Sequence, residues 1–295
     1  VSDENPIVRA SAAKLIVKNF LEEGYSLLKW AINYDDSAVV LKTLYDLFKG
    51  VNDHSINKLK KALEKRLSSI YGVIPDEALF FLDLELSVSF FNINYLRIYS
   101  SNSVNGVIKG NYMMCAIKKG HIVALNLSNW GLNKLPESIG SLSKLRHLIL
   151  KNNNINTVPE STGLLRHLRT LDLSDCKINS LPDSLINLHM LKTVFLCRNY
   201  NLEDIPRSIL LMAKKDFFRK YIWEGVHLNE AFVLGLLEIL TGSKLKKLKM
   251  DQFIKYRDKA CHYKTNDRGN VIGIYIFHSQ LSNLTIIPEQ ISTLT

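Results

Sequence analysis

The sequence predicts an α/β protein in which an α-helical amino-terminal region precedes a solenoid of short parallel strands on a concave face, interrupted by a helical second cap. Three observations predict it. Apolar residues recur at helical spacing near the amino terminus, four later segments repeat every 23 residues, and a cap-like helix returns further along the chain. The hydrophobic content of 46% and charged content of 22% are those of a globular protein, so the chain is expected to fold.

Residues 1–75 are predicted to be helical. Asn5 is placed to cap a first helix that begins at Pro6. The apolar positions on one face of that helix are Val8, Ala12, Leu15 and Ile16. The same phase returns 31 residues later, and Ile56–Gly72 reads as a further amphipathic helix that ends at a glycine. The order proline, Val-Arg, small residue resembles the first helix of a HEAT repeat, and this resemblance implies HEAT-like helices over residues 3–70.

Four consecutive segments repeat within residues 122–212, and they begin at Ile122, Leu145, Leu168 and Leu191. In each, apolar residues at positions 1, 4 and 6 predict a short strand with one buried face, and an apolar-Pro pair opens the return segment. Position 9 calls for a side chain that bonds to the backbone of a tight turn. Asn153 and Asn199 occupy it, Cys176 is a substitute, and Trp130 is a departure.

This pattern resembles the leucine-rich repeat of the 23-residue type, LxxLxLxxNxLxxLPxxIxxL. The resemblance implies parallel strands on a concave face and a role as an adaptor or recognition unit. In some families of this class the repeats stand beside a small-GTPase module.

A second, longer repeat organises the flanking segments. Residues 76–121 are predicted to be a cap, a helix plus a β segment that covers the edge of the first strand. The residues at 76–89 and 229–242 share Glu, Ala, Leu and Glu at four matching positions without a gap. We therefore predict a helical second cap at 213–270, with a plain insertion into one solenoid as the alternative. Residues 271–295 would then start a second leucine-rich array, truncated before its next strand.

Motifs that mark a catalytic or metal centre do not occur in the sequence. It has no Gly-rich phosphate loop, no GxSxG and no HExxH, and its four cysteines form no CxxC pair. We therefore predict a protein that is not an enzyme and has no catalytic residues, metal or cofactor. Unpaired cysteines fit a reducing, cytoplasmic location. The most apolar stretch, Ala231–Leu240, is shorter than the roughly 18 residues of a membrane span.

The concave face is the predicted binding surface. Position 2 would stack Arg146, Arg169 and Lys192 about 5 Å apart, the spacing of neighbouring strands. Beside them, Ile149 and Phe195 are expected to be exposed apolar anchors. The candidate partner-binding residues are Arg146, His147, Ile149, Lys151, Arg169, Asp172, Lys192, Phe195 and Arg198. The alternative is that these cations only keep a sheet face hydrated.

The net charge of +10 and pI near 9.3 favour an acidic partner. We expect a non-catalytic module that binds another protein, with a regulatory region of a longer signalling enzyme, such as a GTPase-linked protein, as the alternative. Nucleic-acid binding is a weaker expectation. It would use the basic stretch Ser243–Lys259, where Phe253 and Tyr256 interleave with lysines.

Overall fold

The computed structural model describes residues 3–88, 99–100, 114–199, 233–234, 236–237, 245–247, 261–265 and 271–275. The α-helices are α1 (Pro6–Asn19), α2 (Leu21–Tyr34), α3 (Ala38–Phe48), α4 (His54–Tyr71) and α5 (Pro75–Ser87). The strands are β1 (Tyr99–Ser100), β2 (Met114–Lys118), β3 (His121–Asn126), β4 (His147–Ile149), β5 (Thr170–Asp172), β6 (Thr193–Phe195), β7 (Leu245–Lys247), β8 (Cys261–Thr265) and β9 (Val271–Tyr275). Short 3-10 helices follow β3, β4 and β5 at Glu137–Ser141, Glu160–Leu164 and Asp183–Asn187.

The amino-terminal helices begin and end largely where the sequence predicts. Asn5 Oδ1 accepts a hydrogen bond from Ile7 N at 2.9 Å, so Asn5 caps α1. Gly72 ends α4 in the left-handed conformation with φ 67°, which a residue without Cβ adopts without strain. Helix α1 packs on α3 and α2 packs on α4, so the four helices form two stacked layers.

The face of α1 that packs differs from its apolar stripe. Val8 and Leu15 are exposed, while Ala10 and Ala13 are buried. Small residues at the contact let α1 approach its neighbours closely, and Gly24 of α2 lies directly against Ile16. Val8 and Leu15 therefore face outward while Ile16 packs against the core, a division that apolar spacing alone does not reveal.

Helix α5 is fastened to the hairpin of β2 and β3 by a buried carboxylate. Glu77 accepts from Ile122 N at 2.7 Å and lies 2.8 Å from His121 Nδ1. Ile74 N also donates to the carbonyl oxygen of Gly120 at 2.9 Å. Burial raises the pKa of Glu77, and its bonds to Ile122 and His121 oppose that shift. The helical layer and the sheet consequently share one hydrophobic core.

The first sheet has the order β1-β2-β3-β4-β5-β6. Strand β1 is parallel to β2, β2 is antiparallel to β3, and β3 to β6 are mutually parallel. Equivalent repeat positions pair in register, so one row of side chains crosses the four parallel strands. Its members are Leu125, Leu148, Leu171 and Val194. Each is at most 2% exposed, so these residues form the inner layer of the repeats.

The second sheet has the same strand pattern as β1, β2 and β3 of the first sheet. Strand β7 is parallel to β8, and β8 is antiparallel to β9, as β1 is to β2 and β2 to β3. The helical residues Val233, Leu234, Leu236 and Leu237 that come before it are buried. Of residues 213–295, only 233–234, 236–237, 245–247, 261–265 and 271–275 are among the described residues. The expected second cap and second array therefore stay predictions.

None of the helices in the described part of the chain is long and apolar enough to cross a membrane.

Candidate functional site

The turns after the strands are built around position 9. Asn153 Nδ2 donates to the carbonyl oxygens of Leu127 at 2.9 Å and Leu150 at 2.6 Å. Its Oδ1 accepts from the backbone N–H groups of Trp130 at 3.1 Å and Leu132 at 3.0 Å. One side chain therefore joins two successive turns, and the predicted backbone-bonding role of position 9 is confirmed there.

The other members of that position behave as expected from their chemistry. Asn199 Nδ2 donates to the carbonyl oxygens of Leu173 and Leu196 at 2.9 and 2.8 Å. Cys176 has a thiol in this place, a weak donor and a weak acceptor. Its Sγ lies 3.3 Å from the carbonyl oxygen of Leu150, and the backbone of Asn153 bonds to it. Burial raises the pKa of Cys176 to about 11, so the thiol retains the proton that it donates. Its substitution for asparagine therefore supplies part of the same turn.

Position 8 turns the chain out of each strand in the left-handed conformation. Its residues are Asn129, Asn152, Asp175 and Arg198, with φ between 55° and 64°. Asparagine and aspartate tolerate this region better than other side chains because they bond to the local backbone. Arg198 does not have that advantage, and its side chain instead reaches Asp175 in the preceding repeat.

The predicted cationic ladder (Arg146, Arg169 and Lys192) is one column of the repeat. Arg169 N donates to the carbonyl oxygen of Arg146 at 2.7 Å, and Lys192 N donates to that of Arg169 at 2.8 Å. All three residues are exposed and directly precede strands β4, β5 and β6. The equivalent residue of the first repeat, Val123, is buried against the cap, so the ladder starts at the second repeat.

His147 and Thr170 occupy the neighbouring column at position 3. His147 Nδ1 lies 3.1 Å from Thr170 Oγ1, within hydrogen-bond distance. Burial lowers the pKa of His147, and the positive charges of Arg169 and Arg146 lower it further. Both guanidinium groups therefore add to the positive potential around the His147 ring.

Position 5 supplies Ile149, Asp172 and Phe195, paired in register with one another and with Asn126. The expectation that Ile149 is exposed is wrong, because it is 6% exposed between its two neighbours in the column. Phe195 is half-buried, at the strand that ends the described ladder. Of the two expected apolar anchors, Phe195 alone therefore offers part of its surface.

Asp172 has a structural role that the sequence did not reveal. Its Oδ1 accepts a hydrogen bond from Ser174 N at 2.9 Å. Two repeats earlier, Asn126 Oδ1 accepts the equivalent bond from Ser128 N, also at 2.9 Å. Burial raises the pKa of Asp172, against the bonds from Ser174. The signal that could have identified this role is an Asx residue two positions before a serine in alternate repeats.

Lys151 and Arg198 converge on an acidic residue that was not among the candidates. Arg198 donates to Asp175 Oδ2 at 2.5 Å and its Nε also contacts the other carboxylate oxygen. Lys151 Nζ lies 3.8 Å from Asp175 Oδ2. These two cations are therefore partly neutralised within the chain, which leaves the ladder as the stronger source of positive potential.

Within the described residues, no group of three or more His, Cys, Asp or Glu side chains is arranged to hold a metal ion. Of the basic stretch Ser243–Lys259 only Leu245–Lys247 is described, and Leu245 is buried as expected from its place in a strand.

Comparison with known proteins identifies the repeats. Residues 125–214 match the model of the leucine-rich repeat region. A solved leucine-rich repeat protein of Leptospira interrogans is 32% identical over 30% of this chain and 22% of its own, with a TM-score of 0.29. This chain thus spans 22% of the length of that protein. No curated protein matches the chain. Residues 125–214 therefore form a leucine-rich repeat region.

Proposed function

We propose that this chain is a non-catalytic recognition module that binds another protein on the concave surface of its leucine-rich repeats. The partner presents an acidic surface. The cationic ladder attracts it, and half-exposed Phe195 contributes an apolar contact. A preformed surface of this kind needs no ordering on binding, because its turns are already fixed by Asn153 and Asn199.

The observation that carries the proposal is the ladder itself. Arg146, Arg169 and Lys192 are exposed and held in line by backbone hydrogen bonds, although mutual repulsion opposes their alignment. Hydration of a sheet face needs no such column, since polar uncharged residues also provide it. A partner carboxylate at each step would relieve the repulsion.

The cap at residues 76–121 and the amino-terminal helices at 1–75 are proposed to be supports for this surface, the latter HEAT-like. Residues 213–270 are proposed to be a second cap. This is supported by the matching strand pattern of β7 to β9 and the buried helical residues before it. Residues 271–295 then begin a second array.

The experiment is quantitative affinity capture from extract of the native cells, with Arg146→Glu/Arg169→Glu as the test variant. Lys144→Glu/Arg166→Glu is the matched control, because both residues are exposed, lie in the loops before β4 and β5, and give the same change in net charge. We expect the test variant to lose a partner that the wild type and the control retain, with both variants unfolding as the wild type does.

If both variants retained the partner, binding at the cationic ladder would be contradicted. Loss in both would show an effect of net charge without a defined site.

A further inference from the structure

We propose that the occupant of the concave face is an acidic amphipathic α-helix of the partner protein, lying along the array across β4, β5 and β6. This inference rests on the proposed function and adds the shape and polarity of the partner.

The spacing of the cationic ladder fits a helix. Neighbouring strands are about 4.8 Å apart, so the first and third cations arise about 9.6 Å apart. Residues i, i+3 or i+4, and i+7 of a helix lie on one face, and the first and last are about 10.5 Å apart along the axis. In an extended chain, same-face residues are about 6.7 Å apart, so three of them span about 13.4 Å. The helix matches the ladder to about 1 Å, and the extended chain misses by about 4 Å.

The width of the surface also fits a helix. From position 2 to position 5 the strand advances about 10 Å, close to the diameter of a helix with its side chains. Between these columns lie His147, Thr170 and Thr193, which are half-buried. Phe195 is at the far side of this width. A helix seated there would place one edge over the ladder and the other over Phe195.

Asp172 determines the polarity of that helix. It lies in the same column as Phe195, next to it in register. A carboxylate of the partner over this column would face a second carboxylate, which is unfavourable. The acidic residues must therefore be confined to the edge over the ladder, with apolar residues on the edge over Phe195.

The test uses the full chain and three fluorescent alanine-based peptides of about 20 residues, long enough to be helical. The first carries Glu at i, i+3 and i+7 with Leu on the adjacent edge. The second has the same composition with Glu distributed around the helix. The third keeps the order of the first but has two central prolines that prevent a helix. Binding is measured by fluorescence anisotropy at low and high salt.

We expect the first peptide to bind at least about tenfold more tightly than the other two. Exposed ion pairs each change affinity by a factor of about 1.4 to 5, so Arg146→Glu/Arg169→Glu should weaken its binding by about 2- to 30-fold or more. Lys144→Glu/Arg166→Glu should leave it unchanged. Asp172→Asn should tighten it, and the variant should fold because Asn126 already makes the equivalent bond to Ser128.

Bound carboxylates near Arg146 and Arg169 should also raise the pKa of the His147 ring, which an NMR titration of the complex follows. Equal affinity for all three peptides would overturn the helical occupant. If the proline peptide bound more tightly than the first peptide, the occupant would be an extended acidic segment. A fluorescent oligothymidylate is measured in the same assay, and if it bound more tightly than the first peptide, the occupant would be a nucleic acid. Neither result alters the capture experiment. That experiment tests the proposed function separately, because it asks only whether Arg146→Glu/Arg169→Glu loses the native partner.

Discussion

The Asn153 side chain offers the sharpest test of how the repeats are held together. It makes four hydrogen bonds of 3.1 Å or less, donating to the carbonyl oxygens of Leu127 and Leu150 and accepting from the backbone N–H groups of Trp130 and Leu132, and a longer one of 3.4 Å to the carbonyl oxygen of Lys151. Asn153→Ala removes all five and leaves buried backbone groups without them. At about 1 kcal/mol for each of the four shorter bonds, the free energy of unfolding should fall by about 4 kcal/mol. That is a large share of the roughly 5–15 kcal/mol typical of a domain.

The matched variants make the reasoning specific. Asn154→Ala changes an exposed asparagine whose backbone N–H, bonded to Leu132 at 2.8 Å, is retained, so the loss should stay within about 0.5 kcal/mol. Asn153→Cys replaces the amide by a thiol, a weaker donor and acceptor, as Cys176 is in the next repeat. Its loss should be about half that of Asn153→Ala, about 2 kcal/mol.

The assay is equilibrium unfolding in urea, followed by circular dichroism and extrapolated to water. An Asn153→Ala variant that unfolds within about 0.5 kcal/mol of Asn154→Ala would refute the account of position 9. An Asn153→Cys variant as unstable as Asn153→Ala would show that a thiol at position 9 contributes nothing to the turn.

Two further predictions concern packing and pH. Gly163→Ala should lower the free energy of unfolding by about 1–3 kcal/mol, because its Cβ would lie 2.5 Å from the Ser184 carbonyl oxygen of the next 3-10 helix. Thermal unfolding checks this, with Gly140→Ala, whose nearest contact is 3.0 Å, expected to cost less. Burial raises the pKa of Glu85 from 4.5 to about 7, so the stability it provides is present below the unfolded pKa and is lost as pH rises through 7. Glu85→Gln should therefore gain about 2–3 kcal/mol relative to wild type between about pH 5 and pH 8, and a gain independent of pH in urea unfolding would contradict this.

The periodic part of the fold could be predicted from the sequence because each repeat position has one physical demand. Apolar residues at positions 4 and 6 must be buried, and position 9 must bond to a turn, so Leu148 and Asn153 lie where expected. The outer surface of α1 was less predictable. Apolar spacing identifies a stripe, but the smaller residues Ala10 and Ala13 allow the closer packing and take the buried side.

The candidate surface was predictable in its backbone and less so in its side chains. Residue spacing determines that Arg146 and Arg169 are stacked. It does not reveal that Ile149 is enclosed by its register neighbours, or that Asp175 accepts two cations. Such outcomes depend on which side chains lie opposite each other, and that requires the register of every strand.

The most direct measurement of the central claim is site-specific crosslinking with the captured partner. A photoreactive residue placed at Thr170, in strand β5 of the proposed binding surface, should crosslink to the partner. The same residue at Asn187, exposed on the 3-10 helix Asp183–Asn187 away from that strand, should not. Crosslinking at Asn187 with none at Thr170 would contradict binding on the concave face.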